Sequence, residues 1–243
     1  MKTNAMYLSL IILITLFTAC EKENLKISPS NNVTSKEYTI SSFEELNISD
    51  QFKVYITFSA TEKDLRIRAN DNLHGRILVE ERNGELSIEL ENNTNIKQGN
   101  LVLEVFLTTD KIENITGQGL TQIHLQNKWE GDELEIELVG ASALFGTLSA
   151  NRLDSKLTGA SNLVIEGDVD FFKIDAEGAS NMLGYDFETN DLSVDLSGAC
   201  NISLTVHNKL NVEATGASTV YFKGDGLIES QDLSGGSKII KMN

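Results

Sequence analysis

The chain is poor in proline, tryptophan, cysteine and positive charge. It has one proline, one tryptophan and two cysteines in 243 residues. Two cysteines cannot build a disulfide framework, even in an oxidising compartment. Lys and Arg number 20 against 36 Asp and Glu, so the formal net charge is −16. Nucleic-acid binding depends on basic patches and is excluded. Electrostatic docking on anionic lipid headgroups is excluded for the same reason. Long hydrophobic runs are missing too. The longest, Met6 to Ala19, has 14 residues and is broken by Ser9, Thr15 and Thr18. A membrane-spanning helix needs roughly 20. No window shows helical period, so no Gly-rich phosphate loop leads into a helix. The three histidines, His74, His124 and His207, have no second His or Cys at metal-ligand spacing. Each is expected at the surface or an edge, and neither a metal nor a cofactor is expected.

What is present begins with an address. A 14-residue apolar run after a single Lys2 has the length of a signal-peptide h-region. It ends in Leu16-Phe17-Thr18-Ala19-Cys20, which resembles a lipobox. Small residues there admit the peptidase, and the thiol of Cys20 takes the lipid. Several acyl chains, palmitate among them, hold a protein stably where one holds it marginally. The expectation is an exported lipoprotein, anchored at Cys20 in the gram-negative cell envelope, at the outer membrane. Residues 1–19 are then the signal peptide. Residues 20–35, polar and starting Glu21-Lys22-Glu23-Asn24, read as a flexible tether.

The rest repeats. Gly-Ala-Ser triplets start at Gly140, Gly159, Gly178 and Gly216. Gly198-Ala199-Cys200 and Gly235-Gly236-Ser237 are variants, and Thr116-Gly117-Gln118-Gly119 is a looser copy. Glycine spacings are 19, 19, 20, 18 and 19. Positions two, four and six before each glycine are mostly apolar, as in Leu134, Ile136 and Leu138 or Leu192, Val194 and Leu196. That is the alternation of a strand with one buried face. A second short strand follows each triplet, as in Leu163-Val164-Ile165. A unit of this size cannot bury its own apolar face, so units must stack. The reading is all-β: a right-handed parallel β-helix, or β-solenoid, with coils of about 19 residues and an irregular β-rich N-terminal part. The glycines Gly140, Gly159, Gly178, Gly198, Gly216 and Gly235 should mark corners lying in a column. Asn162, Asn181 and Asn201 should form an amide ladder. Cys200, which stands in the serine row, should be buried and unreactive.

Residues 36–243 are read as one solenoid domain, regular over 116–243 and irregular over 36–115. The irregular part supplies either the first coils or a cap over an edge that would otherwise aggregate. Lys238 and Lys241 should protect the far edge by charge. Phe52-Lys53-Val54-Tyr55-Ile56-Thr57, then Asn83-Gly84-Glu85-Leu86-Ser87-Ile88, then the Gly-Ala-Ser ladder together resemble the family of putative auto-transporter adhesins, head GIN domain. The resemblance covers about residues 38–240 and implies an exported, often lipid-anchored β-helical protein. It carries no site residues.

The one candidate site is acidic. Three positions before the corners stand Glu137, Lys156, Asp175, Asp195 and Glu213. Asp175, Asp195 and Glu213 on adjacent coils could form a solvated face, a calcium-binding row, or the carboxylates of a carbohydrate-active enzyme. The leading reading is a non-enzymatic envelope protein that presents a rigid surface for adhesion or ligand binding. A glycan or another envelope protein would be the partner. The alternatives are the enzyme and a structural envelope assembly subunit.

Overall fold

The structure, a computed structural model, describes residues 26–243. Cys20, the signal peptide and the start of the tether lie outside the described residues. The architecture is a β-solenoid of about seven turns. Seventeen strands join in one sheet, with a single 3-10 helix at Asp71–Arg76.

The regular coils are long bent strands: β10 (Trp129–Gly140), β11 (Ala143–Gly159), β12 (Asn162–Gly178), β13 (Asn181–Gly198) and β14 (Asn201–Gly216). Each pairs in parallel with the next. Leu134, Leu153, Phe172, Leu192 and Leu210 fall in one register column and are all buried. The coil is closed by the short strands β15 (Thr219–Lys223), β16 (Leu227–Leu233) and β17 (Lys238–Lys241). Unequal glycine spacings leave marks. The 20-residue interval before Gly198 carries its extra residue between Met182 and Phe187, where the register slips against Leu163 and Gly167.

Each corner is held three ways. Gly140, Gly159, Gly178, Gly198, Gly216 and Gly235 all have positive φ, from 68° to 112°. At Gly140 a Cβ would sit 2.8 Å from the carbonyl oxygen of Gly119, so close approach as well as φ demands glycine. The following N–H donates to the glycine carbonyl one coil back: Ala160 to Gly140, Ala179 to Gly159 and Ala217 to Gly198, each at 2.7 Å. Ser142, Ser161, Ser180 and Ser218 point inward and are fully buried. Ser142, Ser161 and Ser180 donate to carbonyls three residues earlier at 3.0 Å. Ser180 Oγ also accepts the Ser161 N–H at 3.3 Å, which ties successive coils together. Cys200 is a free, buried thiol in this row. Burial pushes its pKa up, away from the reactive thiolate. Outside the corner, Asn181 donates to Asn162 at 3.3 Å and Asn201 to Asn181 at 3.1 Å, which makes the amide ladder real.

The N-terminal part supplies both a coil and a cap, in an order the chain does not follow. Strands β2 (Glu45–Ile48) and β3 (Lys53–Phe58) make a full coil. They pair in parallel with β8 (Asn114–Gly119) and β9 (Gln122–Leu125) on one side. On the other side they pair in parallel with β6 (Glu85–Leu90) and β7 (Leu103–Thr109). Asp50 turns their corner at φ 74°. Its carbonyl takes the Leu120 N–H at 2.6 Å, as the glycines do. Beyond this coil pairing becomes antiparallel: β1 (Val33–Tyr38) with β4 (Asp64–Asn70), β4 with β7, and β5 (Ile77–Arg82) with β6. Antiparallel strands end the parallel ladder and close this edge. The expected tether is ordered in its second half. Ile27 bridges Ile96, and β1 begins at Val33, because the cap offers these residues backbone partners.

Candidate functional site

The wall before each corner carries polar residues in register from coil to coil. Its outward positions alternate with the buried columns, so they form rows running along the solenoid. The acidic row is continuous in register: Glu137 beside Lys156, Lys156 beside Asp175, Asp175 beside Asp195, Asp195 beside Glu213. Thr116 extends it toward the cap and Asp232 toward the far end. Two residues upstream runs a parallel row of Asn114, Glu135, Asp154, Lys173, Ser193 and Asn211.

Cations interleave with these carboxylates. Lys173 Nζ lies 2.9 Å from Asp175, which raises the lysine pKa. Arg152 donates two bonds of 2.9 Å to Asp154, and its guanidinium lies 4.4 Å from the centre of the Phe171 ring. Lys156 approaches Glu137 at 3.6 Å. Between the rows, Lys173, Asp175, Ser193, Asp195, Asn211, Glu213 and Ser230 line an open depression of about 280 Å³. A second depression, lined by Glu45, Glu113, Asn114, Glu135 and Asp154, lies on the same wall nearer the cap.

Asp175, Asp195 and Glu213 are therefore neighbours, but they stand in a line. Strand spacing keeps such residues about 4.8 Å apart at the backbone, all pointing the same way. Calcium needs six to eight oxygens converging on one point. Among the described residues no three His, Cys, Asp or Glu side chains converge to hold a metal ion. The row is built as an extended surface.

The wall after the corner carries a feature that the sequence reading passed over. Five residues beyond successive corners stand Tyr55, His124, Phe145, Val164 and Leu183. The Tyr55 ring stacks on Phe106 at 5.1 Å and on His124 at 5.5 Å. His124 stacks on Phe145 at 4.9 Å. Counting five from each corner finds this stripe, provided Asp50 is recognised as a corner. His124 lies on the outward face, half-buried between its neighbours in this stripe. Its Nε2 is buried without a partner. Burial, and then Lys53, lower its pKa. The ring faces are spent on one another, so the stack offers edges and no free face for a sugar. His207 sits on an exposed part of the coil, 2.8 Å from Glu188, and His74 meets the Thr34 carbonyl at 3.1 Å.

Solved structures share this architecture. A putative adhesin from Bacteroides fragilis NCTC 9343 is 20% identical, with a TM-score of 0.82, covering 89% of this chain and 100% of that one. A putative lipid binding protein from Parabacteroides distasonis ATCC 8503 is 16% identical, with a TM-score of 0.75, covering 90% and 100%. A putative adhesin from Parabacteroides merdae ATCC 43184 is 13% identical, with a TM-score of 0.66, covering 90% and 99%. At such identities the likeness is one of fold. No curated protein matches the sequence. The model of the family described as putative auto-transporter adhesin, head GIN domain, matches residues 42–226, and the chain belongs to that family.

Proposed function

We propose that this chain is a non-enzymatic, exported lipoprotein, anchored at Cys20 in the outer membrane, that uses the polar wall before the corners for adhesion or ligand binding. The observation that carries the reading is the in-register array of carboxylates, amides, hydroxyls and cations on that wall. Strand pairing fixes the backbone position of every one of these groups. Ion pairs such as Lys173–Asp175 and Arg152–Asp154 hold some of the side chains as well, which lowers the ordering cost of contact. The array is open and long, which suits a chain-like or flat partner, such as a glycan or another envelope protein. Membership of an adhesin-named family and a lipobox-like Leu16-Phe17-Thr18-Ala19-Cys20 support the same reading.

The test is binding of the soluble chain to a glycan array, together with co-purification from intact envelopes. Asp175→Ala with Asp195→Ala and Glu213→Ala should weaken the captured interaction at least about tenfold, as loss of several polar contacts does. His207→Ala, away from the row, should leave it unchanged. Turnover of a polysaccharide, abolished by Asp195→Asn, would contradict the non-enzymatic reading. Labelled palmitate should enter the wild-type chain and be absent from Cys20→Ser.

A further inference from the structure

The last described coil has an outer edge with nothing on it. β16 and β17 pair back onto β14 and β15, and among the described residues no strand pairs with their other side. Leu227 is 72% exposed and Ile228 44%. The opposite end is closed by the antiparallel cap. A head-to-tail stack of copies is therefore blocked, and the open edge of one copy is matched by the open edge of another.

The free backbone groups can be identified. The N–H groups of Ser234, Lys238 and Met242 donate to Ala214, Ser218 and Phe222 in the preceding coil. Successive residues of a strand alternate in direction, so the N–H and C=O of Gln231, Leu233, Ile239 and Lys241 point off the end. A two-fold axis through the Gly235 corner lays β16 of one copy antiparallel to β17 of the other. Residues equally far from Gly235 then face each other: Leu233 with Ser237 and Gln231 with Ile239. These pairs bring the free groups of Gln231, Leu233 and Ile239 to the seam. Between them Asp232 meets Lys238. Both point to the outer surface, since Asp232 aligns with Glu213 and Lys238 with Thr219.

Charge completes the match. Asp232 lies three residues before Gly235 and Lys238 three after it, so the two-fold forms this pair twice. Glu229 and Lys241 stand outside the match: Glu229 sits at the register slip and leans outward on Lys209 at 3.5 Å, and Lys241 aligns with the buried Phe222. An edge that only repelled would carry one sign. This one is complementary to itself under the two-fold, which is what an isologous contact requires.

We infer that the occupant of this edge is a second copy of the chain, joined tail to tail by antiparallel β16–β17 pairing about Gly235. With the anchor at Cys20, as proposed above, the tether enters at the capped end and the open edge faces away from the membrane. The contact then links copies on facing surfaces, which makes the adhesion homophilic.

The experiment is sedimentation equilibrium of the mature chain carrying Cys20→Ser, at up to about 0.1 mM. The expected result is a reversible dimer. Lys238→Glu, and separately Asp232→Lys, should each weaken it by on the order of 100-fold through the two like-charge contacts each creates. Mixed one to one, the two variants should regain the dimer as a heterodimer. A monomeric wild type overturns the inference. So does a dimer that ignores the swaps, or a mixture that stays monomeric while both variants keep the wild-type melting curve. Vesicles bearing the acylated chain should cluster. A solution dimer without clustering overturns the facing-surface arrangement. Failure of glycan binding would instead strike only the polar wall.

Discussion

Glycine at the corners answers two demands at once. Gly178 has φ 82°, and a Cβ there would lie 2.5 Å from the Gly159 carbonyl oxygen. That oxygen is the acceptor for Ala179 N–H, so a side chain attacks the bond that joins the coils. Left-handed backbone alone costs an L-residue about 1–2 kcal/mol. Gly178→Ala should therefore lower unfolding free energy by about 2–4 kcal/mol in urea titrations, within the range of strained special-φ sites. Asp50 shows the exception, since Asp tolerates positive φ better than most residues. Ser155 is the opposite case. It sits between Ile136 and Ile174 in a buried column, and its hydroxyl has no partner. An unsatisfied buried hydroxyl costs about 1–3 kcal/mol. Ser155→Ala should raise stability by about 1 kcal/mol after the small loss of packing, and a fall in melting temperature would contradict this.

At the scale of the strand, rows matter more than residues. The stack of Phe106, Tyr55, His124 and Phe145 knits four strands. His124 resists protonation in the fold because burial and Lys53 disfavour its charge. In the unfolded chain it takes up a proton near its ordinary pKa of about 6.5. Its neutral form thus contributes stability that is complete above that pH and is lost as pH falls from there toward the lowered folded value. His124→Phe keeps the stack and removes this dependence. The variant should gain on wild type as pH drops from about 7 to about 5, measured by chemical denaturation. Equal slopes for both proteins would contradict it.

The strands and their corners were legible because small residues recur at nearly fixed spacing and apolar positions alternate before each one. Other features were hidden for physical reasons. Asp50 masks a corner, since the search for triplets rests on glycine. The stripe that includes His124 is visible only after counting from that corner. The position of Glu45–Phe58 between β8–β9 and β6–β7 depends on pairing between distant segments, which local alternation does not encode. The acidic row was legible as a row. Its failure to converge follows from strand spacing and pointing direction, which appear only once the register is known.

The whole molecule is a stack of coils with one closed end and one open end. Ends that differ give the solenoid a direction, and the closed end receives the N-terminal segment through β1 and the Ile27–Ile96 bridge. Its walls inherit their order from the corner column, so both proposed contacts depend on that column. Pulsed electron spin resonance tests it most directly, with label pairs on the outward row in a background carrying both Cys20→Ser and Cys200→Ser. Glu137 and Glu213 lie four strands apart in register, and Thr116 and Asp232 six strands apart. Spacings of about 4.8 Å predict narrow distributions near about 19 Å and about 29 Å, before allowance for the label arms. Broad distributions, or distances that do not grow with the number of coils between the labels, would contradict the account.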